Sequence, residues 1–351
     1  MLGARPNFVK MAPVVATLRR RLPAVRHILI HTGQHYDRMM SDVFVDELEL
    51  PEPDYRLDIG SGSHAQQTAR ALERLEPVLE RERPDLVVVP GDVNSTLASA
   101  LVTVKLGLRL AHVEAGLRSF DRTMPEEINR IVADEFSDLL FVHCDEAVAN
   151  LKKEGISDER VHFVGNTMID TLVATEERFR SARAYERIGV DPGAFLLVTL
   201  HRPALVDGPL IEETMGRLVA LARNLPVVFP IHPRTRRRLG PRAWPGVRMI
   251  DPIGYLDFLS LEAEARAVLT DSGGVQEETT YLRVPCFTLR DNTERPVTIR
   301  AGTNTLLGLA PASIDAILPM LDAGKHAPQT RPSGWDGHAS DRLADVICEG
   351  L

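Results

Sequence analysis

Short apolar runs of strand length alternate along this chain with longer stretches whose apolar positions recur at helical spacing. In the first half the runs are His27–His31, Leu86–Pro90, Arg109–Val113, Leu139–His143 and Val161–Gly165. Each is short and apolar at its centre, the pattern of a parallel strand buried on both faces. Helical periodicity fills the intervals, as at Ala65–Glu82 and Asn94–Leu106. Phe195–Leu200, Pro226–Ile231, Ala267–Thr270 and Pro285–Leu289 repeat the pattern in the second half. Such alternation predicts the α/β class, with a doubly wound parallel sheet in each half. Thr171–Pro192, rich in Glu and Arg, reads as a helix and linker, so the boundary is expected near Gly165–Asn166. The expected organisation is a domain over 1–166, a second over 167–334, and a tail over 335–351 whose amphipathic helix can pack back on the first. Ligands of two such domains in series bind at the carboxyl ends of the strands, in the cleft between them. The chain opens on a loop, with no strand expected before Gly3.

Composition narrows the function more than the fold. A length of 351 residues fits two domains, each with its own core. With 41 basic and 49 acidic residues the net charge is −8, which argues against a dedicated nucleic-acid binder. No apolar run is long enough for a membrane span, and Met1–Pro6 does not read as a signal peptide. Three scattered cysteines, Cys144, Cys286 and Cys348, form no CxxC pair and suit a reducing cytoplasm.

Several loops at predicted strand ends carry more polar chemistry than turns need. Gly3–Lys10 is a glycine turn entering a helix, with Arg5 and Lys10 placed to meet phosphate oxygens; a solvated surface turn is the plain alternative. Asp92 follows the run Leu86–Pro90, where it is a ligand contact or a turn residue, and Asn94 or Ser95 can cap the next helix. Glu114 ends an apolar run, an expensive place for a carboxylate without a partner or a task. Pro125 suits the first position of a helix, which puts Glu126 and Glu127 in its first turn. These carboxylates stand beside Arg118 and Arg130 as a candidate acid/base cluster. His201 and Arg202 end another run, and His232 heads an arginine-rich helix. In Asp271–Glu278 an apolar run enters Ser272-Gly273-Gly274 and then a helix, the form of a pyrophosphate cradle or of an ordinary tight turn. Glu278, a turn further on, can accept from ribose hydroxyls, and Arg295 follows in Asp291–Pro296. No GxGxxG follows a strand and there is no Walker motif or HExxH, so neither an NAD fingerprint nor a standard metal motif is present.

Taken in order, Gly3–Asn7, His31–Asp37, Gly91–Thr96, His112–Ser119, Pro125–Arg130, Asp271–Glu278 and Thr293–Pro296 resemble the non-hydrolysing UDP-N-acetylglucosamine 2-epimerases almost end to end. The resemblance implies two Rossmann-like domains in the glycosyltransferase-B architecture, a cytoplasmic homodimer, and conversion of UDP-GlcNAc to UDP-ManNAc without NAD or metal. It assigns Ser272, Gly273, Gly274, Glu278 and Arg295 to UDP, with Phe258 and Ile253 near the uracil. Arg5, Lys10, Asp92, Glu114 and His201 match substrate-contacting positions; Asp92, Glu114, Glu126 and His201 match catalytic ones. Gln34, Arg70, Glu127, Arg202 and His232 resemble positions around a second, regulatory UDP-GlcNAc site. For the base at C2 the order of expectation is Asp92 or Glu126, then Glu114 and His201. The chain departs from the pattern at Pro203-Ala204-Leu205, where polar residues are usual, and in the absence of an apolar strand before Gly3. The alternatives are the same chemistry on UDP-2,3-diacetamido-2,3-dideoxyglucuronate, a glycosyltransferase, and a nucleotide-sugar sensor without turnover.

Overall fold

The computed structural model describes residues 1–3, 5–33, 44–324 and 331–350. The chain divides into two compact units, Met1–Ala174 with Ser333–Leu351, and Thr175–Pro332. The division after Ala174 lies eight residues past the Gly165–Asn166 junction expected from composition, and the C-terminal segment belongs to the first unit.

In the first unit β1 (Ile30–His31) pairs in parallel with β2 (Tyr55–Arg56). A four-stranded parallel sheet runs in the order β3 (Val87–Pro90), β4 (Leu110–Val113), β5 (Leu139–Val142), β6 (Val161–Phe163). The two pieces meet at the start of the chain. The Leu2 N–H donates to the Ile30 oxygen at 2.8 Å, the Leu2 oxygen accepts from Thr32 at 2.8 Å, and the Met1 ammonium reaches the Val88 oxygen at 2.9 Å. The place of a first strand between β1 and β3 is therefore held by Met1 and Leu2, with Leu2 in a parallel bridge to His31. This corrects the expectation of a loop alone. With Leu2 counted, the strand order becomes that of a Rossmann sheet, whose winding reverses between Leu2 and β3.

The helices of this unit show why their sequences end where they do. α1 spans Arg5–Arg21. α2 (His64–Glu82) opens with a reciprocal capping box between Ser63 and Gln66, and ends at Arg83 in the left-handed region just before Pro84. α3 (Asn94–Lys105) is capped by neither Asn94 nor Ser95; Val93 holds the cap position. The Asn94 side chain turns instead to His64, Gln67 and Asn129, a tertiary demand that outweighs its capping preference. α4 (Pro125–Phe136) starts on Pro125, with Glu126 and Glu127 in its first turn. α5 (Asp145–Lys153) is acidic at its start and basic at its end, matching the helix dipole. The C-terminal helix Ala339–Gly350 is held by Asp170, which accepts from the Ala339 and Ser340 amides.

The second unit is a six-stranded parallel sheet: β7 (Leu196–Thr199), β8 (Val227–Pro230), β9 (Val247–Ile250), β10 (Ala267–Thr270), β11 (Cys286–Thr288) and β12 (Asn304–Leu306). Its order, β12-β11-β10-β7-β8-β9, is the Rossmann order with the reversal between β7 and β10. Two buried clusters cover the faces of this sheet, one around Val198, Met215 and Phe229 and the other around Phe195, Leu197 and Val268. Three strands were not expected from hydrophobic runs: β2, β9 and β12. β9 reads Val-Arg-Met-Ile and β12 Asn-Thr-Leu, edge sequences too short and polar to stand out. Thr171–Pro192 contains short helices rather than one helix and a linker.

Candidate active site

The reversal point of the first unit gathers most of the carboxylates. Glu114, directly after β4, has φ +71°, an uncommon backbone state for a residue with a Cβ. Both its N–H and that of Ala115 donate to the Phe141 oxygen, at 3.1 and 3.0 Å. Its carboxylate is buried and accepts from Lys10 Nζ at 2.8 Å. Lys10 comes from α1, so the loop-to-helix turn and the end of β4 are joined by a buried ion pair. Between them sits Gly91 with φ +59°, where a Cβ would lie 2.9 Å from Lys10 Nζ. The positive φ favours glycine, and a Cβ there would press on the buried Lys10 ammonium.

Asp92 follows. Its partly exposed carboxylate accepts from Arg130 Nε at 3.1 Å and also from Arg130 Nη2, while its carbonyl accepts from Asn129 at 2.9 Å. Both partners come from α4. Glu126 lies one turn before Arg130 on the same helix, and among the described residues it has no hydrogen-bond or ion-pair partner.

Glu127 does something different. It is buried and accepts from the Ser119 amide and hydroxyl, the Phe120 amide and Arg130, all within 2.8–2.9 Å. The carboxylate expected beside a regulatory ligand is thus committed to holding a loop. Arg70 donates to the backbone oxygens of Gln66 and Ser61. Gln34 and the Arg5 side chain lie outside the described residues.

In the second unit the loops after β7 and β10 meet at the reversal. Asp271, buried at the end of β10, accepts from the amides of His201 and Arg202 and from His201 Nδ1 at 3.0 Å. Burial pushes its carboxyl up, but the imidazole and the two amides outweigh it and hold the group below the usual range. The His201 ring itself is half exposed, its side chain at 52%. Ser272 occupies the N-cap position of α6, the helix Gly273–Leu282. A Cβ on Gly273 would lie 2.3 Å from Arg295 Nη1, so a guanidinium stands directly against the helix start. Arg295 pairs with Glu294 at 2.5 Å and Glu277 at 3.1 Å; Arg290 and Arg202 also approach Glu294, at 2.8 and 3.7 Å. Three cations and two carboxylates around a free helix N-terminus make a local anion site in an acidic protein.

Glu278 is buried one turn into α6 and accepts from the Tyr255 hydroxyl at 2.9 Å. Burial pushes its carboxyl up to about 7. Glu262, wholly buried with neither oxygen partnered among the described residues, is pushed well up by burial and by Glu278. Ile253 and Phe258 are partly buried and pack against the cluster containing Phe195 and Leu261. His232 caps its own helix by accepting from the Arg234 amide at 3.2 Å.

Sequence reasoning missed Arg130 and Asn129 as partners of Asp92, Arg290 beside Glu294, and Asp271 as the anchor of His201. Arg130 carried a signal, since it lies three and four residues from the two helix-start carboxylates. The others depend on the meeting of loops distant in sequence.

Two Rossmann-like units, each with charged residues converging at its reversal point, define the class of α/β enzymes that includes the glycosyltransferase-B fold. The profile of the UDP-N-acetylglucosamine 2-epimerase family matches residues 17–348. A UDP-N-acetylglucosamine 2-epimerase from Methanococcus maripaludis is 42% identical over 99% of this chain and 97% of its own. A UDP-2,3-diacetamido-2,3-dideoxy-D-glucuronate 2-epimerase from Pseudomonas aeruginosa is 41% identical over 99% of this chain and 98% of its own. The crystal structure of the Methanocaldococcus jannaschii UDP-GlcNAc 2-epimerase, in complex with UDP-GlcNAc and UDP, superposes with a TM-score of 0.90 at 41% identity, covering 99% and 98% of the two chains. This chain belongs to the UDP-N-acetylglucosamine 2-epimerase family, and it is an isomerase.

Proposed function

We propose that the protein interconverts UDP-N-acetylglucosamine and UDP-N-acetylmannosamine by elimination and re-addition of UDP. The observation that carries this reading is the crowding of carboxylates at one reversal point, where Glu114 on left-handed backbone faces Lys10 beside the Gly91-Asp92 turn. The proton at the sugar C2 has no neighbouring carbonyl to acidify it, so direct abstraction is very unfavourable. Elimination avoids the problem. The C1–O bond breaks with its electron pair leaving on UDP, the C2 proton passes to a base, and 2-acetamidoglucal remains. Re-addition of UDP at C1, with a proton delivered to the other face of C2, gives the epimer.

In this reading Asp92, Glu114, Glu126 and His201 supply base and acid. Glu126 suits the base, since its carboxylate has no described partner competing for it. Lys10 and Arg5 meet substrate oxygens. Ser272, Gly273, Gly274 and Arg295 hold the departing pyrophosphate, which the cationic helix start of α6 stabilises as charge develops. Glu278 takes the ribose hydroxyls, with Ile253 and Phe258 toward the base. Glu127 and Arg202 are engaged within the protein, which counts against a direct role for them at a regulatory ligand. We read the protein as a cytoplasmic homodimer acting on a UDP sugar; among the described residues no helix is long and apolar enough to cross a membrane.

Incubation with UDP-GlcNAc in deuterated water tests the reaction. The expected product is UDP-ManNAc carrying deuterium at C2. The P. aeruginosa relative motivates a parallel incubation with the diacetamido uronate, and exchange in that sugar alone would move the substrate. Binding without exchange in either would make the protein a sensor. Asp92→Asn and Glu126→Gln are expected to lose exchange by about a hundredfold or more while still binding UDP in calorimetry.

A further inference from the structure

We infer that His112 is a positioning residue for the epimerase reaction: by donating from both ring nitrogens, it ties the turn that carries Asp92 to a buried anion at Asp134. The inference rests on the functional reading above. His112 lies in the middle of β4 and is wholly buried. Its Nε2 is 2.7 Å from the Gly91 oxygen, and its Nδ1 is 2.7 Å from Asp134 Oδ1. A carbonyl oxygen can only accept, so Nε2 carries a hydrogen.

The other contact resolves in the same way. Asp134 on α4 already accepts at Oδ2 from Arg118 Nη1 at 2.7 Å and from the Gly116 amide at 3.1 Å. Burial works against a charge there, and the Arg118 guanidinium on Oδ2 favours it. Asp134 is therefore an anion that accepts from Nδ1. A neutral imidazole has a single N–H, so a ring donating on both sides is an imidazolium.

The charges facing the ring alternate outward. Arg118 lies in the loop after β4, and Glu154, just past α5, grips that guanidinium through Nε at 2.7 Å and Nη2 at 2.5 Å. On the other side, beyond Gly91, stand the Lys10–Glu114 and Asp92–Arg130 pairs. The strand register explains the reach. His112 pairs with Val89 on β3, which puts its ring beside the turn two residues further along. Gly91 is then held at both peptide groups, since its own N–H donates to the Val113 oxygen at 2.9 Å. The next residue is Asp92. A ring of this kind touches no substrate, yet it fixes the backbone from which a carboxylate must reach the sugar, and small misplacement of such a group is costly in rate.

The test uses the full chain labelled with nitrogen-15 in histidine. Both ring nitrogens of His112, assigned by their loss in His112→Asn, are expected to carry hydrogen in the active protein. His112→Asn is expected to lower kcat about a hundredfold, with the KM and the UDP dissociation constant within about twofold of the unaltered chain. His112→Gln, whose amide still donates to one acceptor, is expected to recover part of kcat. An unprotonated ring nitrogen in an active chain overturns the inference, as does a kcat that is unchanged or that falls together with UDP binding. If His112→Asn fails to fold, through-bond assignment on the unaltered chain and the kcat of His112→Gln decide. If the unaltered chain exchanges no proton in either UDP sugar, the functional reading falls and this inference with it.

Discussion

Glu114 occupies a position where backbone conformation and burial both cost free energy. Its φ of +71° is maintained by two amides on one carbonyl and by the ammonium of Lys10. Removing one partner of a buried pair leaves the other poorly compensated, which is worse than never having had either. Lys10→Met is therefore expected to lower stability in urea by about 3 kcal/mol. Lys10→Met with Glu114→Gln should recover much of that, and equal losses in the two variants would argue against the coupling. Gly273 makes a second residue-scale case. A methyl group there meets the side-chain ends of Arg295 and Glu294 rather than backbone, so Gly273→Ala should fold. It should also displace the guanidinium from the helix start and weaken UDP binding about tenfold, the worth of one charge-assisted hydrogen bond. Calorimetry against UDP reads this directly.

At the scale of an element, α4 has the most to explain. Its first turn supplies a carboxylate with no described partner, Glu126, and a fully engaged one, Glu127, which holds Ser119 and Phe120; Asn129 and Arg130 both reach Asp92 after β3, and Asp134 reaches Gly116 and Arg118 after β4. Adjacent residues in a helix point about 100° apart, so neighbours in sequence can serve separate tasks. Glu127→Ala should release the Ser119–Phe120 segment, because two amides and a hydroxyl lose their acceptor at once. The expected result is faster hydrogen exchange at those two amides and a loss of about 3 kcal/mol. Strand amides of β4 and β5 should keep their relative protection. Uniform acceleration across the unit would mean that Glu127 supports the whole core rather than the loop.

For the whole molecule, acidic groups are displaced in both directions, and pH should separate them. Asp134 and Asp271 are held below the ordinary range, and Asp336, paired mainly with Arg342, is held at about 2. Their contribution is present above the ordinary carboxylate range and is lost as pH falls. Glu278 works the opposite way. Burial raises it from 4.5 to about 7, so between those values the unfolded chain ionises while the folded one keeps its proton. Stability is therefore lost as pH rises across that window, by roughly 3 kcal/mol once complete. Glu278→Gln removes the term. Melting of the two proteins at pH 5 and pH 8 should show the variant gaining on the unaltered chain at the higher pH. A difference independent of pH would count against the buried carboxyl.

The Rossmann class was readable along the chain because strands buried on both faces need unbroken apolar runs, and their helices need a different period. Gly273 and Pro125 were readable too, since a close approach and a helix start each restrict residue type. The family followed from motifs that keep their order along almost the whole chain. Pairing was not readable. Lys10 and Glu114 are 104 residues apart, Arg130 and Asp92 are 38 apart, and His201 and Asp271 are 70 apart. Parallel strands bring such loops together at one end of a sheet, and the register that does so is a property of the packed sheet. Only the tertiary structure, therefore, decided that Glu127 holds a loop while Glu126 stands without a described partner. The two carboxylates are identical in type and adjacent in sequence, and what separates them is the set of donors that folding brings within reach.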